Sequence, residues 1–197
     1  PISLVIAAAL AITVVPRFLD RIYYRGPASD HFDGERFFNP DGEDTAGPPT
    51  GGSRGGFFWR YLTGSDGRPP WPERVAVTPT KPEPRVDGDR MVATWVGHAT
   101  VLVQTRGLNI LTDPIWSRNA GPFGFGPKRV TEPGVRFQDF PPIDLVLVSH
   151  NHYDHLDLPT LRAVRRRWDP PAATGLGNAR HLAKAGICGA RELDWWE

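Results

Sequence analysis

Three histidines and an aspartate crowd into the stretch His150-Asn151-His152-Tyr153-Asp154-His155, directly after a short apolar run. That run, Ile143-Asp144-Leu145-Val146-Leu147-Val148-Ser149, follows Pro141-Pro142 and has the β-branched, bounded character of a buried strand. A fold that buries this strand must therefore deliver a group of metal-binding side chains at the strand's end. In extended backbone, residues two apart share a face, so His150 and His152 are expected to offer ring nitrogens to one cation. Asp154 and His155 fall where the chain turns towards a helix, and are expected to reach a second cation beside the first. Imidazole and carboxylate suit zinc, which binds them at about 2.0–2.2 Å and in catalytic sites keeps one position open for water. The bland alternative is a chance surface cluster or a helix cap. It leaves unexplained why strand, loop and helix signals follow one another around the motif.

The pattern of His150, His152, Asp154 and His155 resembles the H-x-H-x-D-H signature of metallo-β-lactamase-fold hydrolases. Three flanking segments narrow the resemblance: Thr94-Trp95-Val96-Gly97-His98-Ala99-Thr100, Leu111-Thr112-Asp113-Pro114-Ile115 and Gly126-Pro127-Lys128-Arg129. They are similar to the branch containing N-acylphosphatidylethanolamine-hydrolysing phospholipase D and its bacterial relatives, over roughly residues 90 to 197. The resemblance implies an α/β fold, the αββα sandwich. Residues 91–197 are expected to form only its N-terminal part, because a third histidine for the first metal, a bridging aspartate and a final histidine would come from later strands. It also implies zinc, two ions in the complete protein, and a part for Asp154 in proton transfer. Asp113 is expected to orient a ligand imidazole through its carboxylate, or else to make an Asx turn before Pro114. His98 ends a strand and either lines the pocket or packs. Lys128 and Arg129 sit in a Gly/Pro-rich loop, open to an anionic substrate or simply solvated.

These expectations point to metal-assisted hydrolysis, with zinc activating water and neutralising charge on the attacked centre. The first reading is a phosphodiesterase of phospholipase D type acting on a phospholipid-like substrate. A lactone or carboxylic-ester hydrolase would use the same metals, since one fold hosts many reactions. A third reading is a membrane-anchored fragment that binds metal without turnover. The chain alone is expected to be weakly active or inactive, because His150 and His152 without a third protein ligand leave their metal under-coordinated.

The apolar run Ile2 to Val15, followed by Arg17, Arg21 and Arg25, reads within residues 1–25 as a truncated membrane anchor or the apolar part of a secretory signal. Membrane association is therefore expected, at a bacterial inner membrane or after export, with either sidedness open. Residues 26–90 are dense in Pro and Gly and read as a linker or an arm wrapped on the domain, with Phe37, Phe38, Phe57, Phe58, Trp59 and Trp71 as anchors. Strands are expected over 91–96, 100–104, 108–112 and 143–149. Helices are expected over 158–168, with Leu161, Val164 and Trp168 on one face and Arg162, Arg165 and Arg166 off it, and over 178–185. His31 and His181 read as structural. The net charge of +1 argues against a nucleic-acid binder, and the lone Cys188 has no internal disulfide partner.

Overall fold

The computed structural model describes residues 3–10, 22–40, 72–121 and 126–197, together with positions 56, 59, 60, 63, 69 and 124. The chain divides into two compact units, residues 1–69 and 70–197. In the second unit the strands are β1 (Met91–Gly97), β2 (Thr100–Thr105), β3 (Leu108–Thr112), β4 (Leu145–Val148), β5 (Ala172–Gly175) and β6 (Arg191–Leu193). Two helices follow β4: α1 (Leu158–Trp168) joins it to β5, and α2 (Ala179–Ala183) joins β5 to β6. The strands form one sheet in sequence order. β1, β2 and β3 pair antiparallel through tight turns, whereas β3 to β6 pair parallel, with the crossovers that parallel neighbours require.

Alternation decides which face is the core. In β2 the residues Thr100, Leu102 and Gln104 are buried and their neighbours are not; β3 buries Asn109 and Leu111, and β4 buries Val146 and Val148. Leu161 and Val164 of α1 and Leu182 of α2 are fully buried in the same cluster as Leu102, Leu111 and Val146. The arginine-bearing side of α1 is exposed, so the amphipathic reading of 158–168 holds at both ends of the helix. Asp169 closes α1 in the left-handed region at φ 48°. The other face of the sheet is apolar yet only partly covered among the described residues. It carries Trp95 (60% exposed), Leu147 (36% exposed), and the half-buried Val101, Val103, Ile110, Leu145 and Ala173.

Residues 72–90 run along the second unit. Val86 is fully buried, the Val75 N–H donates to the Val130 carbonyl, and the Thr80 N–H to that of Gly134. The Gln104 and Asn109 side-chain amides donate to the carbonyls of Glu83 and Pro84, and Arg85 pairs with Asp144. These bonds satisfy buried polar groups of β2 and β3 that a sheet face alone would orphan. In the first unit, Phe32 is buried against Tyr24 and Phe37, with His31 buried beside them and Ser29, Asp30 and Asp33 shaping the turn. Phe37, Phe38 and Trp59 are themselves substantially exposed. Phe57, Phe58 and Trp71, the 11–15 part of the apolar run, Arg17 and Arg21 lie outside the described residues. Residues 3–10 are helical, and no helix among the described residues is long and apolar enough to cross a membrane.

The structure differs from the sequence reading in three elements. The strand expected over 143–149 is ordered as β4 only from 145 to 148, because the Asp144 N–H is taken by the Asn109 carbonyl and the Asp144 carboxylate accepts from the Asn109 N–H and Arg85. The helix expected over 178–185 is shorter, Ala179–Ala183. β5 went unread, since Ala172-Ala173-Thr174-Gly175 has none of the β-branched apolar run that marks a strand; pairing with β4 and β6 forms it.

Candidate metal centre

β4 ends at Val148, so His150 and His152 leave the sheet in a loop rather than sharing a strand face. The loop is wound tightly instead: the His155 and Leu156 N–H groups both donate to the His152 carbonyl. The winding brings the rings together. The His150 ring centroid lies 4.5 Å from that of His152 and 4.0 Å from that of His155. Burial pushes the His150 pKa down, with His155 and His152 adding to it. Lowering this pKa favours the neutral ring that a metal needs.

Asp113 supports the loop from the end of β3. Its backbone is left-handed at φ 36°, an uncommon state for a non-glycine residue that costs about 1–3 kcal/mol unless its surroundings hold it. Several contacts do hold it. Its N–H donates to the Leu147 carbonyl, and its own carbonyl accepts from the Thr100 hydroxyl at 2.7 Å. The Asp113 carboxylate accepts from the Ser149 N–H (2.7 Å) and hydroxyl (2.8 Å), and lies 3.0 Å from Nδ1 of His155. Two segments noted in the sequence thus meet through hydrogen bonds from Thr100 to Asp113, from Ile115 to Thr100 and from Thr112 to Ala99.

The partner at Nδ1 sets the chemistry of His155. In the neutral ring the proton sits on Nδ1, facing Asp113, which leaves the Nε2 lone pair 3.5 Å from an Asp154 carboxylate oxygen. Two electron-rich atoms facing each other call for a cation between them. His98 supplies a third donor: it is exposed, left-handed at φ 51°, and its Nε2 lies 2.8 Å from Asp154 Oδ2. Donor atoms of His98, Asp154 and His155 all fall within 4.8 Å of one another. Although burial raises the Asp154 pKa, hydrogen bonds from its own backbone and from His98 outweigh that and keep it low, so the carboxylate stays charged. This donor set fits a divalent ion such as zinc, with iron equally compatible in ligand type.

The structure therefore brings His150, His152, Asp154, His155, Asp113 and His98 to one end of the sheet. His181 stands apart on α2 and His31 belongs to the other unit. Two residues escaped the sequence reading. Ser149 links Asp113 to the rings of His150 (2.9 Å) and His155 (3.3 Å), and its place directly before the first histidine was the available signal. Asp157, buried at the start of α1, accepts from the Ser117 N–H and hydroxyl and from the Thr160 hydroxyl, tying the far end of the loop to the segment after Asp113. Lys128 and Arg129 line a separate cavity.

Residues 108–197 match the profile described as the beta-lactamase superfamily domain. An N-acyl-phosphatidylethanolamine-hydrolyzing phospholipase D of Caenorhabditis elegans is 39% identical over 119 residues, covering 54% of this chain and 32% of the relative. A metal-dependent hydrolase of Anaeromyxobacter is 36% identical over 74 residues, 38% of this chain and 24% of the relative. A 4-amino-L-phenylalanyl-carrier-protein 3-hydroxylase of Streptomyces venezuelae is 37% identical over 87 residues, 44% of this chain and 15% of that protein. The chain spans a third or less of the length of each.

Proposed function

Residues 108–197 carry a beta-lactamase superfamily domain of metallo-β-lactamase-like fold, and on that premise we propose that this chain provides the first ligand cluster of a metal-dependent hydrolase, of phosphodiesterase type. The observation that carries the reading is the Asp113–His155–Asp154 line. A carboxylate fixes one ring nitrogen of His155, and the other ring nitrogen faces the Asp154 carboxylate. A metal ion bound there lowers the pKa of water towards about 7 and stabilises charge developing on the attacked group.

The chain's own residues do the rest. His150 presents its ring against those of His152 and His155, and the Asp154 carboxylate lies beside His155. His98 holds Asp154 Oδ2, the same oxygen that faces Nε2 of His155, and so fixes the carboxylate beside that ring. Asp154, held ionised, is placed to receive a proton from the attacking water. Ser149 and Asp113 hold the imidazoles in position while this happens. Similarity to the nematode phospholipase D supports a phosphodiester of phospholipid type as substrate, in which water attacks phosphorus and the alcohol leaves. A lactone or carboxylic ester is the second reading, and the hydroxylase relative leaves the choice between zinc and iron to measurement.

The test is elemental analysis of the purified chain and of its His152→Ala variant, with phosphodiester and lactone hydrolysis measured side by side. Stoichiometric zinc or iron that drops in the variant supports the centre. A metal-free chain, or metal content indifferent to His152, overturns it. Preferential phosphodiester turnover supports the substrate reading, and lactone turnover alone replaces it.

A further inference from the structure

A cavity of about 430 Å³ opens between the segment around Arg74, the turn around Arg118 and the segment from Lys128 to Pro133. Its charged lining is four cations, Arg74, Arg118, Lys128 and Arg129, against two carboxylates, Glu73 and Glu132. None of the six makes an ion pair with a described residue. The walls are held by backbone bonds: the Arg129 N–H donates to the Arg118 carbonyl at 2.7 Å, the Ala120 N–H to that of Pro127, and the Val75 N–H to that of Val130. Cations that repel one another are thus kept on one concave surface by the fold.

Arg129 is the deepest of them. One guanidinium nitrogen donates to the Ile115 carbonyl at 2.8 Å, and another lies 3.0 Å from where a Cβ on Gly97 would stand. Its Nε is buried with no protein acceptor. Burial of the guanidinium pulls its pKa below the usual value, against the opposing fields of Asp157 and Glu132. A half-buried cation with spare donors, in a lining whose net charge is plus two with that cation included, suits an anion that takes several hydrogen bonds at once.

We propose that this cavity is a binding site for a phosphate group, centred on Arg129 with Arg118, Lys128 and Arg74 at its rim. The site is separate from the metal centre in its residues, since it uses no proposed metal ligand, and it does not depend on the hydrolase reading. It adjoins that centre through the β1–β2 turn, because Gly97 abuts Arg129 and the next residue, His98, holds Asp154. A phosphate group seated here therefore lies beneath the turn that positions Asp154.

The test is calorimetric titration of the 197-residue chain with inorganic phosphate in the presence of a chelator, so that no metal contributes. Saturable binding is expected, weakened about tenfold or more in Arg118→Ala/Lys128→Ala and unchanged in Arg106→Ala/Arg166→Ala, which removes the same charge from exposed positions elsewhere. Sedimentation with phosphatidylglycerol vesicles, with and without competing phosphate, separates two sources of the group. Competition identifies a lipid headgroup, and phosphate binding without vesicle competition identifies a soluble ligand. Absence of saturable binding, or equal weakening in both double variants, overturns the site. A chain that purifies without metal, before any chelator is added, and still binds phosphate refutes only the hydrolase reading, and a chain that purifies with metal but does not bind phosphate refutes only this site.

Discussion

Asp113 shows how much one residue can carry. Its carboxylate serves Ser149 and His155 together, and its left-handed backbone is tolerated because Thr100 and Leu147 hold both its carbonyl and its N–H. Removing that carboxylate frees the His155 ring to rotate and leaves the Ser149 N–H without its acceptor. Asp113→Ala is expected to weaken metal binding about 10–100-fold, read by competition against a chromophoric chelator. Unchanged affinity would reduce Asp113 to a turn residue. His98 calls for a paired test, because its bond to Asp154 is made by one ring nitrogen. His98→Gln, which keeps a donor, should retain more metal than His98→Ala. Equal loss in both would mean that the ring itself, rather than the hydrogen bond, matters. Sequence alone left both residues between a site role and a bland one, since a turn aspartate and a strand-end histidine look the same in either case.

At the scale of elements, α1 fastens the loop to the sheet. Leu161 and Val164 are fully buried in one cluster with Leu111, Val146 and Val148, and the Asp157 carbonyl and carboxylate accept from the Leu161 N–H and the Thr160 hydroxyl where the histidine loop ends. Leu161→Ala is expected to cost about 2–5 kcal/mol, read as a fall in the urea midpoint. A loss under about 1 kcal/mol would mean that the helix packs loosely. The helix was legible residue for residue because its apolar spacing and exposed arginines both follow a 3.6-residue period. β5 was not, because a short Ala/Thr/Gly strand owes its form to neighbours that are distant in sequence. The start of β4 was misplaced for the same reason, since Arg85 and Asn109, far away along the chain, decide what Asp144 does.

Two predictions belong to the whole molecule. Burial, with Lys184 and Arg180 nearby, pushes the His181 pKa below its usual 6.5. A histidine with a depressed folded pKa contributes stability that is complete above the unfolded value and lost as pH falls through the folded one. The urea midpoint of the metal-free chain should therefore fall as pH drops from about 7.5 to about 5, and His181→Gln should flatten the slope. An identical slope would assign the effect elsewhere. The second concerns the N-terminal run, for which we propose lipid contact: residues 3–10 are helical and expose Leu4, Val5, Ile6 and Leu10. Flotation with lipid vesicles should be strong for the full chain and lost when residues 1–25 are removed. Equal flotation of both would place any membrane contact elsewhere.

What the sequence determined by itself was local and periodic. The strand signal before the histidines, the β-hairpin runs from 91 to 112, the amphipathic helix from 158 to 168 and the ligand types in the motif all depend on neighbours in the chain. What only tertiary structure decided was where distant side chains converge. It seated Asp113 on His155 and Ser149, His98 on Asp154, and Arg74, Arg118 and Arg129 around one cavity. The physical reason is that a hydrogen bond or an electrostatic field depends on distance in space, and the sheet's register and crossovers set those distances. The sequence could name the donors, but only the folded sheet could aim them.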